Sequence, residues 1–460
     1  MTQNKTSIFR THLPGFYKTL FFLALPIILQ QLMQTFVNML DTIMVGQLGT
    51  AEVAAVGLGN QIFFMLNMIL FGTASGGSVF IAQFWGKKDI AGIQKVLGIM
   101  ISFSSFVCIL FFTGAFFIPD VLLSLYTKDT VVIAYGAKYL RYISVSYLFL
   151  AVSFPFGLSM RAVDHAMLPT VCSAIAIVLN IAFNYIFIFG FDFSLFKVEP
   201  MGVAGAAIGT IVARAAETLI MMTYANVRMF EILGPVKNFL NFDRKMILKY
   251  VSVALPVLLN ESLWGLGITF ENSIFAHTGT VAIAAFNITG TVSQLAWVFL
   301  IGVGNAAGII LGRKIGAGAL EETKLYAYRF VWFVPCVAVF CGMLLFPFSA
   351  VLPHFFKGDD EVLYLAKIML RELAFFYPFN SFCMYFIVGF CRAGGDTKFA
   401  AFHDLFWMWC IAIPSGAVAA FVFHASPLVI YPVLLSEGLF KCTVGILRLK
   451  SGKWLKDVTG

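Results

Sequence analysis

Charge is scarce in this sequence: Asp, Glu, Lys and Arg make up 12% of 460 residues, against 60% hydrophobic ones. A soluble fold of that composition would leave large apolar patches in water and aggregate, so lipid must be the solvent for most of the surface. Cysteine patterning is missing as well. Cys108, Cys172, Cys336, Cys341, Cys383, Cys391, Cys410 and Cys442 show no C-x-x-C or Cys/His ligand spacing, which leaves them as small buried hydrophobes rather than a disulfide framework or redox pair. The six His do not pair at ligand spacing either, so neither a metal nor any other cofactor is expected.

What is present is a series of apolar segments of 20 or more residues, separated by short polar or Gly/Pro connectors, the helical rather than the barrel signature. Twelve spans are predicted, near residues 17–43, 52–85, 92–118, 131–160, 167–190, 201–226, 246–276, 281–312, 325–349, 361–390, 398–421 and 427–447. The first follows a basic stretch (Lys5, Arg10, Lys18) but is too long for a signal peptide and carries no small-residue cleavage pattern, so it is expected to be retained. No soluble domain is expected at either end.

The net charge of +8 reports topology rather than a nucleic-acid partner. Lys87, Lys88 and Lys95, then Arg228, Lys237, Arg244, Lys245 and Lys249, then Arg313, Lys314 and Lys324, and finally Arg448, Lys450, Lys453 and Lys456 fall in alternate connections. The other connections hold Glu52, Asp120, Asp192, Glu199, Asp359, Asp360 and Glu361. By the positive-inside rule this predicts a multi-pass protein of the cell (plasma or inner) membrane with both termini cytoplasmic.

The chain also repeats itself. At an offset of 230 residues, Ala24-Leu25-Pro26 superposes on Ala254-Leu255-Pro256, Gly49-Thr50 on Gly279-Thr280, Gly72 on Gly302 and Gly86 on Gly316. The register continues through Asp129 on Asp359, Leu140-Arg141 on Leu370-Arg371 and Tyr147 on Tyr377, and a one-residue slip then aligns Arg161-Ala162 with Arg392-Ala393. Six spans per half make parallel repeats, which predicts two six-helix lobes that rock about a central cavity. The division expected is an N-terminal lobe over residues 1–228, a linker over 229–249 and a C-terminal lobe over 250–460.

Asp41 is the one ionisable residue in FVNMLDTIMVG, inside span one. A carboxylate there costs roughly 2.5–3.5 kcal/mol on insertion scales, so something must stabilise it or use it. Gln30, Gln34, Asn38 and Asp41 fall within roughly 80° of helical arc, and such a stripe belongs against a cavity or a neighbouring helix rather than lipid. Pro26 removes a backbone bond below it and predicts a bend. Under the repeat, Asp41 superposes on Glu271 and Gln31 on Glu261; Asn180 and Asn184 share a face of span five, and Tyr139 lies in span four. Asp41, Asn180, Asn184, Glu261 and Glu271 are therefore the candidates for cation or proton coupling, and Gln30, Met33, Gln34, Asn38 and Tyr139 for a substrate cavity. Gly72/Gly76, Gly205/Gly209 and Gly304/Gly308/Gly312 are expected to permit close helix contact.

These residues amount to a resemblance. LALPIILQQLMQTFVNMLDTIMVGQLG, EPMGVAGAAIGTIVAR, LPVLLNESLWGLG and GFCRAGGDTKF are similar to segments of the multidrug and toxic compound extrusion (MATE) family, over residues 15 to 450. The resemblance implies two bundles of six helices and export of cationic, amphipathic drugs driven by inward H⁺ or Na⁺. It matches the family's coupling carboxylate to Asp41 and its partner positions to Asn180 and Asn184, where several members carry an acid at the latter. Glu261 falls near the acid that some members use in helix seven. Those members' helix-ten Asp is Ser381 here, which argues against their C-lobe Na⁺ site and favours H⁺ over Na⁺.

The expectation is a monomeric, non-enzymatic antiporter whose partners are small organic cations and membrane lipid, working by alternating access through Asp41. A lipid-linked precursor flippase, for which only Arg141 and Arg371 could supply cavity charge, is the alternative. An intramembrane enzyme would not need the full-length repeat, and a channel would pass solute without a driving ion.

Overall fold

The computed structural model describes residues 15–193, 196–228, 234–356 and 359–460; Lys5, Arg10, His12 and the first residues of the 229–249 linker lie outside them. Among the described residues twelve helices are long and apolar enough to cross a membrane: Phe16–Gly46, Thr50–Lys87, Ile90–Phe117, Thr130–Ala162, Met167–Phe189, Val203–Arg228, Arg244–Thr278, Thr280–Gly316, Leu320–Val351, Asp360–Arg392, Thr397–Phe421 and Pro427–Lys450. Each carries one predicted span, and they are numbered here as spans one to twelve. Several run past the apolar stretch that predicts them. Span eight continues through Arg313 and Lys314, whose charge at a helix C-terminus favours the extra turn.

Local sequence explains the ends. Asp89 caps span three by accepting from the Gly92 amide, and Asp129 caps span four by accepting from Val131 and Val132. Asp359, the repeat counterpart of Asp129, stands at the same place before span ten. Two other repeat matches are core positions. Leu140 and Tyr147 in the first half, and Leu370 and Tyr377 in the second, are all completely buried.

The slip in the repeat has a structural cause. Residues Phe386–Arg392 of span ten form a wide π-type turn, which takes up one more residue than an α turn, whereas span four is α-helical through Ala162. A second wide turn, Met408–Ala412, interrupts span eleven. Span five, its counterpart, is uninterrupted α-helix.

Packing groups the chain into two compact units: Leu29–Ile81 with Asp89–Ala254, and the remainder, which joins residues up to Ile28 and Ala82–Lys88 to Leu255–Gly460. The sequence division keeps spans one and two whole in the first lobe, whereas here their ends pack with the second half. In that unit Phe16 sits against Tyr326 and Phe330, and Gly302 lets span eight touch Ile28, where an added Cβ would come within 2.3 Å. In the other unit the hydroxyl of Tyr250 donates to the Thr73 carbonyl at 2.9 Å, and Gly76 lies against Ala254. The linker is partly ordered: helix Val236–Phe239 packs on span three, with Asn238 Nδ2 donating to Gln94 Oε1 at 2.8 Å.

The last ten residues fold back as a strap on the end of span two. Gln83, fully buried, donates to the carbonyls of Ala393 (2.9 Å) and Lys456 (3.1 Å) and accepts from the Val458 amide (2.8 Å). Trp454 is 1% exposed, its ring 5.2 Å from that of Phe390. Asp396 pairs with Arg448 and Lys456, and Lys87 with Asp457 at 2.9 Å.

Partial burial pushes the Asp457 carboxyl up, but hydrogen bonds from Lys87 and Thr459 outweigh it and hold the group below its ordinary value. A depressed folded-state value gives stability that is present above the unfolded value of about 3.9 and is lost as pH falls through the folded one. The protection factor of the Val458 amide, its exchange relative to the intrinsic rate, is therefore expected to fall in acid below about pH 4, and Asp457→Asn to abolish that fall. Trp454→Ala should cost about 3–5 kcal/mol in thermal unfolding of detergent-solubilised protein, by emptying a buried aromatic site.

Candidate ion-coupling site

Span one meets span five at two levels. At the upper one, Asn184 Nδ2 donates to Asp41 Oδ1 at 2.8 Å and lies 3.2 Å from Asn180 Oδ1. Asn180 Nδ2 donates in turn to Thr210 Oγ1 at 3.2 Å, and Thr210 to the Ala206 carbonyl at 3.0 Å. The two Asn share a face because they are one turn apart, and both are buried while Asp41 is half-buried. Gly209 of span six makes room: a Cβ there would stand 2.1 Å from Asn184 Oδ1. Tyr139 is buried within electrostatic reach of Asp41, but its hydroxyl donates to Asn60 Oδ1 at 3.4 Å.

At the lower level Gln30 Nε2 donates to Ser173 Oγ at 2.8 Å, and Ser173 donates to Glu217 Oε1 at 2.5 Å. Arg214 Nη1 binds Glu217 Oε2 at 2.9 Å, and Arg161 donates to Gln30 Oε1. Of the other stripe residues, Gln34 donates to Asn38 within span one at 3.2 Å, Asn38 is exposed, and Met33 is half-buried. Sequence reasoning missed Ser173, Arg214 and Glu217. The signal was available, since Arg214 and Glu217 are opposite charges three residues apart inside an apolar span.

The second unit repeats the lower level with different charges. Arg392 Nη2 donates to Asn260 Oδ1 at 3.3 Å, and Asn260 Nδ2 donates to Asp404 Oδ2 at 2.7 Å. Asn260 is Gln30 plus 230, while Arg392 and Asp404 are Arg161 and Ser173 plus 231, so the same contacts recur. Where Ser173 meets Glu217, Asp404 meets Lys441 at 2.8 Å; where Glu217 is neutralised by Arg214, Lys441 is neutralised by Glu437 at 2.7 Å.

Glu261 is ion-paired with Arg392, whose side chain is 5% exposed. Removing either partner would leave the other charge buried and uncompensated. Glu271, the counterpart of Asp41, is half-buried near Glu437 and Lys441 and has no hydrogen-bond partner among the described residues. The positions that correspond to Asn184 are Ser415 or Gly416, depending on how the wide turn in span eleven is counted, and Ser415 turns its hydroxyl to Ile411 and Ala412. Ser381 is buried and donates to the Pro378 carbonyl at 2.8 Å. Among the described residues no group of three or more His, Cys, Asp or Glu could hold a metal ion.

Asp41 thus differs from Glu217, Glu261, Asp404 and Glu437, each of which lies against a Lys or Arg. Its hydrogen-bond donor is a neutral amide rather than a cation.

The family model described as MatE matches the chain twice, over residues 26–186 and 256–418. The chain is 26% identical over 467 residues to the probable multidrug resistance protein NorM of Thermotoga maritima, covering 98% of this chain and 97% of that protein. It is 24% identical over 410 residues to the probable multidrug resistance protein YoeA of Bacillus subtilis, covering 88% and 87%. Among solved structures, a mutant of the Vibrio cholerae MATE transporter VcmN superposes with a TM-score of 0.86 at 19% identity, covering 96% of this chain and 98% of that one. A MATE protein in complex with MaL6 superposes at 0.84 and 19% identity, covering 98% and 100%.

Two outcomes are expected from this geometry. Gly209→Ala should displace Asn184 from Asp41, leaving a folded protein in which the Asp41 carboxyl stretch, read by isotope-edited infrared spectroscopy with Asp41→Asn as reference, has shifted. Arg392→Met should lower unfolding stability by about 3–5 kcal/mol, and adding Glu261→Gln should recover much of that loss, because the single change strands a carboxylate.

Proposed function

We propose that this chain, which belongs to the MatE family, is a secondary active multidrug exporter that exchanges cationic amphipathic compounds for H⁺ through Asp41. The observation that carries this reading is the Asp41–Asn184 hydrogen bond: a carboxylate inside a span, held by an amide rather than by a cation. Deprotonated, Asp41 attracts a cationic substrate and accepts from Asn184. Protonated, it loses that attraction and needs a new acceptor for its own proton. A ligand shifts a two-state equilibrium only by its differential affinity for the states, and one titrating carboxyl supplies that difference for both proton and drug.

The arginines that a flippase of anionic lipid-linked precursors would need are otherwise engaged. Arg141 is exposed and pairs with Asp120 at 3.4 Å, while Arg371 binds Ser349 and lies over the Phe346 ring. The relatives named for multidrug resistance support the drug reading, and Ser381, in place of a second-half acid, favours H⁺ over Na⁺.

The test is uptake of a fluorescent cationic dye by inverted vesicles under a proton gradient or a Na⁺ gradient. The proton gradient is expected to drive uptake in the wild type, and Asp41→Asn to abolish it with dye binding retained. Uptake driven by Na⁺ alone, or undiminished in Asp41→Asn, would overturn the reading.

A further inference from the structure

The two levels of contact between span one and span five form a ladder. Its rungs, Gln30–Ser173 and Asp41–Asn184, are each separated by 143 positions in sequence. Each helix therefore advances eleven residues between rungs, about three turns, which returns both partners to nearly the same face. That holds only if both helices are uninterrupted between the rungs, and both are.

In the second half the lower rung survives as Asn260–Asp404, but the wide turn at Met408–Ala412 follows it. The positions that correspond to Asn184 beyond it are Ser415 or Gly416, neither of them an amide, so nothing equivalent to Asn184 stands opposite Glu271. The lower rung is thus common to both halves despite opposite charges at its outer nodes, and the upper rung is present in the first half alone. Conservation of geometry under inversion of charge points to a mechanical role for the lower rung.

We propose that Glu217 and Ser173 are positioning residues for exchange at Asp41. Glu217, oriented by Arg214, fixes Ser173, and Ser173 fixes Gln30, so that span one is pinned to span five at a set register three turns below the titrating rung. The pin stays closed through the cycle while the Asp41–Asn184 rung opens and closes. This rests on the reading of Asp41 as the coupling group.

The experiment measures the pH dependence of dye binding and vesicle uptake for Ser173→Ala and Glu217→Gln, with Asp404→Asn as the equivalent buried change in the other half. Ser173→Ala and Glu217→Gln are expected to move the pH midpoint by roughly one unit, the tenfold effect of losing one positioning hydrogen bond, while Asp404→Asn lowers stability without moving it. Midpoints unchanged in both first-half variants, with stability alone reduced, would make the rung merely structural.

A second measurement does not depend on those variants folding. Gln30→Cys with Ser173→Cys, in a Cys172→Ala background and oxidised with copper phenanthroline, is expected to retain proton-driven uptake when cross-linked. Loss of uptake on cross-linking and its return on reduction would show that the lower rung must open, and would overturn the proposal. Absence of a pH-dependent midpoint in the wild type would instead count against the Asp41 reading itself.

Discussion

A carboxylate in hydrocarbon has to be neutralised by a cation or be able to neutralise itself by taking up a proton, because the cost of leaving it charged and unpaired is too large to carry. The polar architecture of this protein follows from that choice. Glu217, Glu261, Asp404 and Glu437 take the first course, each against Arg or Lys. Asp41 has no such cation in contact; its partner is Asn184, a neutral amide that can present either its nitrogen or its oxygen.

Within each unit the paired acids hold the helices at fixed positions against one another. Buried ion pairs are weak evidence for net stability, since desolvation offsets most of their attraction, but they penalise any arrangement that separates them. In the first unit the Arg161, Gln30, Ser173, Glu217 and Arg214 chain ties three spans to span one; in the second, Arg392, Asn260, Asp404, Lys441 and Glu437 do the same for span seven. The charges at equivalent nodes differ and the hydrogen-bond connectivity does not. At these nodes each exchanged charge has a partner of opposite sign in its own unit.

Small insertions in the helices decide where the halves differ. One extra residue in a helix either bulges as a wide turn or rotates everything beyond it by about 100°, so a single insertion can remove a side chain from a site without altering the fold. Span ten absorbs its insertion just before Arg392, which still reaches Asn260. Span eleven has a second wide turn between the two rung positions, and Ser415 or Gly416 stands where the first half has Asn184.

Hydropathy and the 230-residue register were enough to predict twelve helices and their repetition and to single out Asp41 as an exception, because burial in lipid is written in long apolar runs. Asn180 and Asn184 were legible as one face of one helix for the same reason. The partners of Glu261 and Gln30 were not legible: Arg392 and Ser173 lie 131 and 143 positions away, and no local periodicity relates them. Nor could hydropathy show that the ends of spans one and two pack with the second half, since an apolar helix is equally apolar wherever it docks. The sequence by itself determined which segments cross the membrane and which charges had to be accounted for. Only the tertiary structure decided which of those charges are held in pairs, because pairing is a matter of side-chain distance between helices far apart along the chain.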